Sequence, residues 1–132
     1  MIDVLIWQST GHRDSMATAL FLAALLRAQG SNVDVVFSRG ALVSLAERKL
    51  YDSPEIASYS DTINDVVEKM GFSTDTMDYL EQCKTAGVGL YASTNWVSFL
   101  AVKDKLPAEI EIIEPLQLAK LIMEAKKVIG AP

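Results

Sequence analysis

The chain has 132 residues, 50% of them hydrophobic and 22% charged, with a formal net charge of -5. That length holds one domain with one core, not two. The acidic balance, with a pI of about 4.8, argues against nucleic acid and anionic membrane as partners.

Cys83 is the single cysteine, so no internal disulfide forms and a secreted disulfide scaffold is excluded. Met1–Trp7 lacks the basic segment and small-residue cleavage site of a leader peptide. The longest apolar stretch, Met16–Leu26, is broken only by Thr18 and falls well short of the roughly 20 residues that span a bilayer. A cytoplasmic location is the expectation.

In chain order, Ile2–Trp7 reads as a first strand. Asp14–Gln29 follows as a helix, with Asp14 or Ser15 as N-cap and Gly30 just past its end. Val33–Phe37 is a second strand, apolar nearly throughout, as expected of a strand covered on both faces. Strand, helix, strand at this spacing is a βαβ unit, which predicts an α/β fold with a mostly parallel sheet.

Ala41–Leu50 reads as a short helix, and 51–73, with Pro54 and many Ser, Asp and Thr residues, as an irregular excursion containing a helix over Thr62–Met70. Thr74–Ala86 is a helix stopped at Gly87, followed by a strand over Val88–Ala92. Asn95–Lys103 and Pro115–Ala125 are helices flanking a strand at Ile110–Ile113, and Val128–Ile129 is a short apolar run that fits a fifth strand. The Met16–Leu26 helix has no polar face, and a helix apolar all round is normally buried all round. Either a subunit interface or the 51–73 excursion must cover its outer side.

In open parallel sheets, ligands bind beyond the carboxyl ends of the strands. Those ends carry Ser9, Thr10, Gly11 and His12, then Arg39 before Gly40, then Ser93, Thr94 and Asn95. Each loop runs into a helix N-terminus, whose backbone N–H groups and dipole favour an anion. These residues therefore form the candidate ligand-binding set, with a small anion as the expected ligand. The same residue types also serve as plain caps and turns.

Other chemistries have less support. With one His, one Cys and no paired ligand motif, neither a metal nor another cofactor is expected. Ser93 lies between Tyr91 and Asn95 rather than between glycines, so it is not a nucleophile elbow. Cys83 shares a helix face with Leu80 and Ala86, which fits a core residue better than a reactive thiol. Asp61/Asp65 and Asp75/Asp78 fall at helix starts or on polar faces, where acidic residues are ordinary.

Ser9-Thr10-Gly11-His12-Arg13-Asp14-Ser15 resembles the Ser-Gly-Gly-x-Asp-Ser loop of the ATP pyrophosphatase family, but with one extra residue and one glycine fewer. That leaves a nucleotide-binding enzyme using Ser9–Ser15 as one alternative. A broader resemblance covers most of the chain outside 51–73. The opening strand with its Ser-Thr-Gly loop, the helix ending Ala28-Gln29-Gly30, the strand Val33–Phe37 running to Gly40, and Leu80–Ser93 with its Ala86-Gly87-Val88 turn resemble the DsrE/DsrF/TusD sulfur-relay superfamily.

The resemblance implies a three-layer α/β/α subunit with about five strands, assembled as a homotrimer or hexamer. It also implies a persulfide-carrying cysteine just after the third strand, and Ser93 occupies that position. A serine hydroxyl stays protonated at neutral pH and cannot hold a persulfide. The reading is therefore a DsrE-like oligomer that binds a small anionic ligand or a protein partner without the family's sulfur carrier. Sulfur transfer through Cys83 is the other alternative.

Overall fold

A computed structural model describes residues 2–130. Five strands, β1 (Val4–Gln8), β2 (Val33–Phe37), β3 (Gly89–Ser93), β4 (Glu111–Ile113) and β5 (Lys127–Gly130), form one sheet in the order β4-β3-β2-β1-β5. Every pairing is parallel, so the sheet is wholly rather than mostly parallel. All five residues of central β2 are buried and all four of edge β5 are exposed. The continuous apolar run of β2 thus reflects cover on both faces.

The helices are α1 (Arg13–Ala28), α2 (Gly40–Glu47), α3 (Ser60–Lys69), α4 (Thr76–Ala86), α5 (Thr94–Leu100) and α6 (Pro115–Glu124), with single 3-10 turns at Ala57–Tyr59 and Lys103–Lys105. From β1 to β4 the chain steps across the sheet in one direction, and the β4-to-β5 connection returns the other way. Right-handed crossovers then place α6 on the face opposite α1 and α4.

Strand alternation agrees with this. Val4, Ile6, Val33, Val35, Phe37, Leu90 and Ala92 pack in one cluster with Met16, Leu20 and Ala23 of α1 and Leu80 and Cys83 of α4. Leu5, Val36 and Ile113, one residue out of step, are buried outside that cluster. The result is a three-layer α/β/α domain. Met16 and Leu20 are wholly buried, each contributing about 1.5–3 kcal/mol of transfer free energy.

Several boundaries differ from the sequence reading for local reasons. The first strand begins at Val4 rather than Ile2. The helix expected over Ala41–Leu50 ends at Glu47, where Arg48 turns left-handed at φ 53°. The one expected over Asn95–Lys103 ends at Leu100, before left-handed Ala101 at φ 54°. Neither Asp14 nor Ser15 caps α1; the N-cap is His12, without a side-chain bond. Asp14 instead accepts from the Ser53 amide and hydroxyl at 2.9 and 2.8 Å, and the Ser15 hydroxyl accepts from Gln8 Nε2. Both side chains are spent on long-range contacts. Gly30, at φ 97°, does follow the end of α1.

The excursion covers part of the outer side of α1. Phe72 meets Phe21 edge-on at 6.2 Å between ring centroids. Phe21 and Leu25 nevertheless remain 50% and 48% exposed.

Asp34 is the one charged residue buried in β2, and its carboxyl makes no side-chain hydrogen bond among the described residues. It fits because Gly89, opposite it on β3, has no Cβ to overlap the carboxylate. Burial pushes its pKa above 3.8. Its protonated form therefore favours the fold; that contribution is complete below the ordinary value and is lost as pH rises through the folded-state value. Asp34→Asn should raise the melting temperature at pH 7, with the gain vanishing below pH 3.8. Thermal unfolding across that range checks it, and an equal gain at every pH would contradict this origin.

Candidate functional site

The register Gln8↔Phe37 and Phe37↔Ala92 sets the carboxyl ends of β1, β2 and β3 side by side. The first two loops are knitted together there. The Ser38 amide donates to the Gln8 carbonyl at 3.1 Å and the Ala41 amide to the Ser9 carbonyl at 3.1 Å. The Ser44 hydroxyl donates to the Gly11 carbonyl at 2.8 Å. Gly11 is required by this approach, because a Cβ there would overlap the Gly40 carbonyl oxygen and the Ser44 hydroxyl.

Between these loops lies a pocket of about 290 Å³ lined by Gly11, His12, Gly40, Val43, Ser44 and Tyr51. His12 is the N-cap of α1 and Gly40 the first residue of α2, so two helix amino ends open at one place. No acidic side chain lines it.

Arg39, exposed and directly before Gly40, has an unusual conformation. Its φ of 52° and ψ of -127°, with the Ala41 amide donating to the Ser38 carbonyl at 3.2 Å, form a type II′ turn. Glycine is the usual residue at that corner. A bulky residue there costs about 1–3 kcal/mol and persists only where its surroundings hold it.

The remaining sequence candidates sit differently. The Ser9 and Thr10 carbonyls are occupied by the Ala41 amide and by Gln8 Nε2. Ser93 is buried at the end of β3, the Thr94 hydroxyl donates to the Ile113 carbonyl at 2.7 Å, and Asn95 is exposed. None of these three lines the pocket. The reason is strand alternation: Ala92 shares the face of Phe37, so Ser93 turns to the opposite one. The rim therefore carries all three loops, and two of them build the pocket.

Val43, Ser44 and Tyr51 were not candidates from sequence. Ser44 follows Gly40 by four residues, one helical turn, which is a readable signal. Tyr51 had none. It is positioned by its carbonyl, which accepts from the Arg13 amide at 2.8 Å, and by the ion pair one residue on. Arg13 grips Asp52 with two bonds, Nε–Oδ1 at 2.8 Å and Nη2–Oδ2 at 2.7 Å, while the Ser60 hydroxyl donates to the same carboxylate.

The sequence matches no family model and no curated protein. The structure does find a relative in shape: the crystal structure of the ychN protein from E. coli covers 98% of both chains with a TM-score of 0.66, at 18% identity. The chain has the ychN fold. Its three-layer α/β/α architecture is in line with the one expected from the sequence. Also among the described residues, no helix is long and apolar enough to cross a membrane.

Cys83 lies in the core of this fold, 0% exposed, with its thiol donating to the Leu20 carbonyl at 3.1 Å. Burial pushes its pKa up to about 11. A thiol so placed is a small hydrophobe rather than a nucleophile.

Proposed function

We propose that this chain is a DsrE-like oligomeric protein whose rim binds a small anionic ligand or an anionic group of a protein partner. The observation that carries the reading is the pocket between Gly11 and Gly40, where two helix amino ends meet and no carboxylate intrudes. Arg39, next to Gly40 in a glycine-like conformation, supplies the charge, and His12 and the Ser93–Asn95 loop complete the surroundings. Persulfide relay through that loop is not part of this reading, since the resemblance puts Ser93 where the superfamily carries its cysteine. The burial and raised pKa of Cys83 speak against transfer through that residue. A Ser9–Ser15 nucleotide loop is disfavoured because it has one residue more and one glycine fewer than the ATP pyrophosphatase loop it resembles.

Titration calorimetry with inorganic phosphate tests this. Arg39→Ala should weaken binding by roughly three- to tenfold, the loss of one charge-assisted hydrogen bond, and Lys49→Ala should leave it unchanged. Equal effects would displace the site from the rim. The oligomer rests on the half-exposed Phe21 and Leu25 of α1 and on Leu116 and Met123 of α6, 69% and 85% exposed. Light scattering that returns 14.4 kDa in dilute buffer would remove that part of the reading.

A further inference from the structure

Three consecutive residues of the excursion are tied to two consecutive residues of α1. The Tyr51 carbonyl accepts from the Arg13 amide at 2.8 Å, and Asp52 takes two guanidinium bonds of Arg13. Ser53 then gives its amide and its hydroxyl to Asp14. This clasp stands directly beside the rim pocket. His12, one residue before Arg13, and Tyr51, one residue before Asp52, are both pocket walls.

The other walls are fixed without the excursion. Gly11, Gly40 and Ser44 are joined by the Ser44–Gly11 hydrogen bond and by the close approach of Gly11 to Gly40, and Val43 lies within α2. Tyr51 differs. It stands between the end of α2 at Glu47 and the start of α3, with 73% of its surface exposed, so packing does not hold it. Its place depends on the clasp.

Beyond the clasp the chain leads into α3. Ser60, the first residue of that helix, donates to Asp52, and the Asn64 side-chain oxygen accepts from Arg13. Farther on, Val67 and Phe72 line a cleft with Ala17, Thr18 and Phe21 of α1, and Phe72 meets Phe21 edge-on. Phe21 is nine residues beyond His12, about 14 Å along the helix. No residue of α3 is buried, and a segment with so few buried contacts opens at a much lower free energy than the core. When it lifts from α1, Asp52 leaves Arg13 and Tyr51 leaves the pocket.

We propose that the clasp couples the rim site to the docking of 52–73, with Arg13 as the positioning residue. A bound anion holds the segment down, and a docked segment completes the anion site with Tyr51. This rests on the rim pocket as an anion site and adds its regulation. By linkage the two effects are equal in size, so whatever displaces 52–73 releases the anion.

Amide exchange of the full chain with and without inorganic phosphate tests this, together with Phe72→Ala. Phe72 lies outside the clasp and the rim and carries no charge, so only docking links it to phosphate. In the free chain, amides over Ser60–Lys69 should exchange faster than those of β2. Phosphate at about ten times its dissociation constant should slow them roughly tenfold, if it binds the docked form alone. Phe72→Ala should weaken phosphate binding roughly two- to fivefold, and Phe72→Leu, which keeps an apolar contact, should restore most of it.

Amide shifts at Gly11 and Gly40 separate the coupling from the site it rests on. Without saturable shifts there, the anion site and the coupling fall together. With them, the coupling alone is overturned if phosphate leaves exchange over Ser60–Lys69 unchanged, or if α3 exchanges no faster than β2 in the free chain. A Phe72→Ala variant that binds phosphate as tightly as the parent overturns it equally. Should Phe72→Ala not fold, the exchange of the unaltered chain still decides.

Discussion

Replacing Arg13 by alanine should destabilise the fold by about 2–4 kcal/mol and loosen residues 52–73 from α1. Asp52 has a side chain only 3% exposed, and its charge is compensated by the two guanidinium bonds of Arg13. Removing the cation strands that carboxylate in a place built for a pair, which is costlier than never having had the pair. The same change frees the Asn64 oxygen. Besides that pair, the Asp14–Ser53 hydrogen bonds and the Phe72–Phe21 contact hold the segment, while α3 itself has no buried residue.

Acid sensitivity should change with it. The Arg13 hydrogen bond, aided by that of Ser60, holds the Asp52 carboxyl below its ordinary 3.8. A lowered folded-state pKa gives stability that is present above the ordinary value and lost as pH falls through the folded one. In Arg13→Ala that loss should begin at higher pH. Denaturant unfolding at several pH values, with hydrogen exchange over 52–73, measures both effects. A variant as stable and as protected as the parent would show that the ion pair does not tie the segment down.

Gly11→Ala is the second large effect. The added methyl group would overlap the backbone carbonyl of Gly40 as well as the Ser44 hydroxyl, and backbone cannot swing aside as a side-chain end can. The loops after β1 and β2 must part, at a cost of about 1–3 kcal/mol, and the pocket between them should lose phosphate binding. Gly40→Ala is the control. The nearest atom to a Cβ there is the Ser9 carbonyl oxygen at 3.4 Å, an ordinary contact, so its stability should change little. Equal destabilisation by the two substitutions would mean that the Gly11 contact does not limit the rim.

The sequence reading and the structure agree where burial writes itself into composition. Val33–Phe37 is apolar because both faces of β2 are covered, and Gly30 and Gly87 end their helices with positive φ. The βαβ order forced a parallel sheet, and with it the shared rim of Gly11, Gly40 and Asn95. The failures lie where a side chain reaches across the chain. Asp14 has the position of a helix cap yet serves Ser53, which is 39 residues away. Arg13 carries no local sign that it will meet Asp52. Tyr51 enters the rim pocket through that pairing and through its carbonyl's bond from the Arg13 amide.

Ser93 is an intermediate case. Its place at the end of a strand was legible, and strand alternation already implied that it faces away from Ala92, but the candidate set grouped it with Gly11 and Arg39 by loop alone. The excursion proved to be a strap with an ion pair and a pocket of its own, and nothing in its Ser, Asp and Thr content distinguishes that from a solvated loop.

The rim assignment is tested most directly by amide-shift mapping of the full chain with inorganic phosphate. Saturable shifts should concentrate at Gly11, His12, Gly40 and Ser44, reach Thr94 and Asn95 more weakly, and fade in Arg39→Ala. Shifts centred away from the carboxyl ends of β1 and β2, or a spectrum unmoved by phosphate, would contradict it.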